Sequence, residues 1–179
     1  MPRFSEIVGI TPAALYERQR ALMRLGLLVA GAGRGPGSGV KLSADSLAVM
    51  IISVLATESL SDIDKRMLRL CNARPSEGEK CAVTGAGTLR QAVATLLADP
   101  SFSREGERML FCGVEDYRKA QIDYFERGSN VRFTVFALKE RSWPRITRSG
   151  RIDSGLIRVM VDDLVAVLPA KSLNQEGKA

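Results

Sequence analysis

The chain is 179 residues long and 45% hydrophobic, with 26 basic and 20 acidic side chains and a formal net charge of +6. That suits one domain, or two small ones, with an ordinary globular core. It contains no histidine, which removes the commonest general base, the commonest metal ligand and any Ser/His or Cys/His nucleophile pair.

Phe4-Ser5-Glu6-Ile7-Val8 reads as a short helix and Gly9-Ile10-Thr11-Pro12 as a tight turn. Thr11 is expected to cap a second helix, because its hydroxyl can accept from a first-turn N–H. Pro12 falls at the first helical position, where a missing N–H costs nothing. Gly26, after Leu25, can take the left-handed conformation that ends the helix. At 100° per residue Leu15, Leu22 and Leu25 share one side, and Ala13, Glu17, Arg20 and Arg24 the other, with Tyr16 at its edge. The outward stripe can lie along a DNA groove. Ala13 permits close approach or contact with a thymine methyl, and Arg20 and Arg24 suit guanine edges or phosphates. Glu17 suits a cytosine amine, or pairs with Arg20 or Arg24. Thr11 and the helix N-terminus can bond phosphate. The plain alternative is a solvated helix face that merely carries charges.

A glycine-rich hairpin follows. Leu27 to Ala30 and Val40 to Leu42 are apolar flanks expected to pair, and the tip holds Gly31, Gly33, Gly35, Gly37 and Gly39 with Pro36 and Arg34. Glycine frees the tip's backbone, and Arg34 would reach a minor groove or a phosphate. A nucleotide phosphate loop is set aside, since Val40-Lys41-Leu42 follows instead of a helix and no Gly-Lys-Ser/Thr is present. Residues 1–42 carry six basic and two acidic side chains, against five and six in residues 43–86. The positive excess is therefore densest in this segment, as binding to a polyanion requires.

On Ile10-Thr11-Pro12, the Leu15 and Leu22 core positions, the Gly26-Leu27-Leu28 helix exit and the hairpin, the segment resembles the winged helix-turn-helix superfamily of bacterial transcriptional regulators. The resemblance covers about a third of the chain and names a superfamily, which does not by itself fix function. It implies a DNA-binding domain over residues 1–58, with Thr11, Ala13, Tyr16, Glu17, Arg20, Arg24 and Arg34 as its DNA contacts. Such domains usually have a full helix before the helix-turn-helix. Here only Met1-Pro2-Arg3 precedes it, so another segment must cover that side of the core.

Ser43 is expected to open a third helix with Asp45 near its positive end. Leu47 to Ala56 is apolar on nearly every face, so this helix is expected to pack on the second helix with one side and meet a partner subunit with the other. A purely internal helix is the alternative. Ser61 and Asp64 suggest a cap for a fourth helix, Asp62 to Cys71, with Ile63, Met67, Leu70 and Cys71 inward. Asn72 to Gly87, with Pro75, Gly78, Gly85 and Gly87 among polar residues, reads as a linker and candidate domain boundary. Thr88 caps a fifth helix, Leu89 to Ala98, with Leu89, Val93, Leu96 and Leu97 inward, and Asp99-Pro100 stops it.

Strands are then expected at Arg108 to Cys112, Ala120 to Phe125 and Val131 to Ala137, the last two joined by a hairpin at Arg127-Gly128-Ser129-Asn130. The register of Val131 to Ala137 stays open. Trp143 to Arg151 is a basic loop or irregular edge strand, read as a solvated edge ahead of a second nucleic-acid contact. Ser154 caps a last helix, Gly155 to Leu168, with Leu156, Ile157, Met160, Val161, Leu164 and Leu168 on the side facing the sheet.

The fold expected is α+β: an N-terminal winged helix-turn-helix (1–58), a helix and linker (59–86), then a small antiparallel sheet packed with a C-terminal helix (87–179) for dimerisation or partner contact. Cys71, Cys81 and Cys112 form no Cys-x-x-Cys, and an odd count argues against a secreted disulfide framework, so all three are expected reduced and mostly buried. Met1-Pro2-Arg3-Phe4 leads into polar residues unlike a signal peptide, and Leu47 to Ala56 is too short to span a bilayer; a cytoplasmic protein is expected. No constellation stands at catalytic spacing, so no enzyme, metal or cofactor is expected. The expected function is a sequence-specific DNA-binding regulator that acts as a dimer on promoter or operator DNA. Double-stranded DNA and a second copy are the partners, with RNA polymerase or another regulator as further ones. The competing expectation is a helix-turn-helix-shaped adaptor docking on transcription machinery, which should show apolar residues on the outward stripe.

Overall fold

The computed structural model describes residues 2–31, 40–57, 59–99, 108–115, 119–126, 129–137, 149–152 and 159–162. They form an α+β fold. The helices are α1 (Pro2–Val8), α2 (Pro12–Arg24), α3 (Ala44–Ala56), α4 (Leu60–Cys71) and α5 (Leu89–Ala98); the strands are β1 (Arg108–Glu115), β2 (Lys119–Glu126), β3 (Ser129–Ala137) and β4 (Ser149–Ile152). Residues 159–162 are helical, and Met160 and Val161 are buried there, as expected of the last helix. The rest of that helix, like Trp143, Arg141, Arg145 and Arg148, lies outside the described residues.

Local chemistry explains the helix ends. Gly9 turns with φ +65°, and Ile10 N donates to Ser5 O at 3.1 Å, which closes α1. Thr11 caps α2 by accepting from Ala14 N at 3.3 Å, and Pro12 is at the first helical position. At the far end Gly26 has φ +70°; its N–H reaches Met23 O at 2.9 Å and Leu27 N reaches Leu22 O at 3.0 Å. This is a Schellman closure, and Leu22 and Leu27 are both buried beside it. Leu28 N also points to Leu22 O, at 3.4 Å. The helix exit thus takes the donors that a long hairpin would use. Of the expected pairing between 27–30 and 40–42, a single bridge, Ala30 with Val40, is found among the described residues.

Ser43 and Ser46 cap α3 reciprocally: Ser46 N donates to Ser43 Oγ at 3.0 Å and Ser43 N to Ser46 Oγ at 2.8 Å. The helix packs on α5, α4 and α2 and on strands β1 and β4. Ala48, Val49, Ile52, Ser53 and Ala56 are wholly buried and Ala44, Val54 and Leu55 half-buried, so α3 is enclosed by its own chain, with no wide apolar face left for a second subunit. Both α3 and α4 pack against α2.

The fourth helix starts earlier than its sequence suggests. Ser59, not Ser61, is the N-cap of α4, with Asp62 at the third position: Ser59 N donates to Asp62 Oδ2 at 3.4 Å and Ser59 Oγ to the same atom at 2.9 Å. Ile63, Met67, Leu70 and Cys71 are buried as expected. Helix α5 runs Leu89–Ala98 with Thr88 accepting from Gln91 N at 3.3 Å, and Leu89, Val93, Leu96 and Leu97 face the core.

The sheet is antiparallel in the order β3-β2-β1-β4. Ala120 stands opposite Phe136 and Ile122 opposite Thr134, and all four are buried on one face. This settles the register of β3: Thr134 and Phe136 face inward and Val135 is half-exposed. The polar stretch 72–87 lies along β3. Pro75 bridges to Phe136, Ser76 N donates to Val135 O at 2.7 Å and Ala82 N to Thr134 Oγ1 at 2.9 Å. Ala73 and Cys81 are buried there, so the stretch is a packed strap instead of a loose linker.

Candidate nucleic-acid interface

Helix α2 has 13 residues, or about 20 Å at 1.5 Å per residue, which is long enough to lie in a major groove. It is anchored by Leu15, Ala21 and Leu22 and bonded by Leu25 N to Ala21 O at 3.1 Å. With those residues inside, the helical period turns Thr11, Ala13, Tyr16, Glu17, Arg20 and Arg24 to solvent, and all six are exposed. Tyr16 is the most prominent apolar body on this face, at 58% exposed. Arg34, the seventh expected contact, lies outside the described residues.

The arginines on this face are not bare charges. Arg20 Nη1 bonds Glu17 Oε1 at 3.3 Å, one turn back on the same helix. Arg24 Nη2 bonds both carboxylate oxygens of Asp64 in α4, at 2.7 and 2.8 Å. That bond and the charge behind it hold the Arg24 guanidinium above its ordinary range. Asp64 was expected near the cap of α4; it is instead an exposed partner of Arg24 on α2.

A further arginine on α2, Arg18, points inward and is buried. Its Nη1 donates to Ser53 O at 3.2 Å and to Thr57 Oγ1, and its Nη2 to Thr57 O at 3.0 Å. It thus caps the C-terminal end of α3, where carbonyls carry partial negative charge. Burial lowers its pKa, while the charge of Asp62 works the other way. One of the six basic residues counted in 1–42 is therefore a structural tie and not an exposed contact residue. The sequence carried a signal for this: Arg18 stands three residues after Leu15 and four before Leu22, on the inward stripe.

No known protein family, curated protein or solved structure matches the chain. No group of three or more acidic, cysteine or histidine residues that could hold a metal is found among the described residues, and no described helix is long and apolar enough to cross a membrane. This surface offers guanidinium and hydroxyl donors, carboxylate acceptors, a methyl and an aromatic ring along one helix.

Proposed function

We propose that the protein is a sequence-specific DNA-binding transcriptional regulator of winged helix-turn-helix type, with α2 as the reading helix and the Ala30–Val40 bridge as the base of a wing. The observation that carries this reading is the division of α2. Leu15 and Leu22 are completely buried, whereas Ala13, Tyr16, Glu17, Arg20 and Arg24 all lie on the solvent side of a capped helix preceded by a short helix and a tight turn. The protein acts by equilibrium binding, without covalent chemistry, in the cytoplasm. A two-fold dimer reading half-sites about one helical turn apart is the arrangement such domains use, and RNA polymerase or another regulator is the further partner it would meet at a promoter. The test is a gel shift against the DNA upstream of the protein's own coding sequence at two salt concentrations. Binding that outcompetes random duplex is the expected result; equal affinity for both duplexes would remove the sequence-specific reading.

A second reading, a protein-docking adaptor for transcription machinery, is favoured by one feature. Leu60 and Leu68, exposed by 45% and 44%, flank Asp64 on α4 at helical spacing, next to the Arg24 contact. In the same gel shift an adaptor gives no salt-sensitive retention of any duplex.

A further inference from the structure

We infer that Asp64 is a specificity-determining residue of the reading face, which turns Arg24 from a phosphate binder into a reader of guanine. The inference rests on the DNA-binding reading and adds a residue from α4 to it.

The geometry is specific. Arg24 Nη2 reaches both oxygens of Asp64 at 2.7 and 2.8 Å, and among the described residues Asp64 is the sole partner of that guanidinium. The pair is open to water, 66% exposed on Arg24 and 47% on Asp64, and exposed pairs contribute little to stability. Yet the two residues lie 40 positions apart, on different helices. What the pair does change is the chemistry that Arg24 offers. With Asp64 bound, the net charge at this end of α2 is cancelled. The two oxygens of one carboxylate are served by a single bifurcated N–H, so the second Nη2–H remains as a donor beside Nε–H and Nη1–H and can form a two-donor fork with one of them. A phosphate is drawn by charge, and would meet the Asp64 carboxylate beside its target. A guanine edge is neutral and offers two acceptors, N7 and O6, so it can take the remaining N–H groups while the carboxylate stays in place. Glu17 holds Arg20 in the same manner from within α2, at 3.3 Å. The face therefore keeps its hydrogen-bond donors but suppresses the sequence-independent attraction that a bare pair of arginines would have.

The test compares Asp64→Asn with wild type on alternating dG–dC and alternating dA–dT duplexes of equal length, across a salt series. Asparagine keeps the shape and removes the charge. Wild type should prefer the dG–dC duplex. Asp64→Asn should bind both duplexes more tightly at low salt and with a smaller preference, and its salt slope should steepen by about 0.9, as for one added phosphate contact. Added to Arg24→Gln, Asp64→Asn should have none of these effects. An unchanged slope, a loss of affinity on both duplexes, or the same steepening in the Arg24→Gln background would overturn the role of Asp64 while leaving DNA binding standing. If wild type binds neither duplex at low salt, the DNA reading itself falls, and this inference falls with it.

Discussion

Replacing Arg18 with methionine isolates the tie that fixes α2 to the end of α3. The stem keeps its packing, since methionine fills a similar path, and the hydrogen bonds to Ser53 O, Thr57 Oγ1 and Thr57 O are among those lost. Ser53 O stays satisfied, because it also accepts from Thr57 N at 3.1 Å and Thr57 Oγ1 at 2.7 Å. Thr57 O loses its guanidinium donor in a buried site. An orphaned buried carbonyl costs ~1–3 kcal/mol, and hydrogen bonds to a charged group contribute ~1.5–3 kcal/mol. Release of the buried charge, whose desolvation depresses the pKa of Arg18, offsets part of this. A net loss of ~2–4 kcal/mol follows, which for a chain of this size lowers Tm by ~4–16 °C. Urea and thermal unfolding followed by circular dichroism measure it, with Arg20→Met as the control: its partner Glu17 is exposed, and that loss should stay under ~1 kcal/mol. If Arg18→Met unfolds within ~0.5 kcal/mol of wild type, or no earlier than Arg20→Met, the buried tie does not hold α2 in place.

On the DNA side, Arg20→Ala should weaken a selected site by ~1–3 kcal/mol; a double Arg20→Ala, Arg24→Ala variant with unaltered DNA affinity would mean that the outward face of α2 is not the reading surface. Neutralising Arg34 should weaken all sequences alike and flatten the salt slope by about 0.9, and an unaltered slope would strike it from the contacts. The Cys71 thiol, buried in α4 and pushed up to about 12 by desolvation, should resist alkylation in the native protein at neutral pH and react only on unfolding; prompt labelling by mass spectrometry would contradict its burial. Asp62 is pushed upward by partial burial, but the hydrogen bonds from Ser59 and the charge of Arg66 outweigh this and hold it below the ordinary carboxylate value. A depressed folded pKa gives stability that is present above the unfolded value and lost as pH falls through the folded one. Asp62→Asn should therefore be less stable than wild type at neutral pH, with the gap closing in acid. A gap that persists below that range would place the effect elsewhere.

Short-range chemistry was the most legible part of the sequence. Thr11, Pro12 and Gly26 fixed both ends of α2, and Thr88 and Asp99 those of α5, because caps and stops act within a few residues. Leu15 and Leu22 of α2 and the inward residues named for α4 and α5 followed from helical period, whereas Leu25, expected inward, is half-buried and the burial of Gln19 and Ala21 was not foreseen. Long-range pairings were not legible. Asp64 looks like a first-turn acid until α4 is laid against α2, and Ser59 and Ser61 are equivalent as caps until Asp62 chooses between them. The order of turn residues in 72–87 reads as a spacer because its backbone bonds go to a strand some fifty residues later. The same distance kept the register of β3 open, since what selects Thr134 and Phe136 for the inner face is the tertiary covering.

That covering precedes the strand it seals. Residues 75–82 leave the ribosome well before β3, so when the last long strand of the sheet arrives its Thr134 to Phe136 stretch already has partners from the same chain. The opposite rim, β4, is four residues long and includes Arg151. A nascent chain built in this order leaves neighbouring copies less to zip onto along the covered stretch of β3.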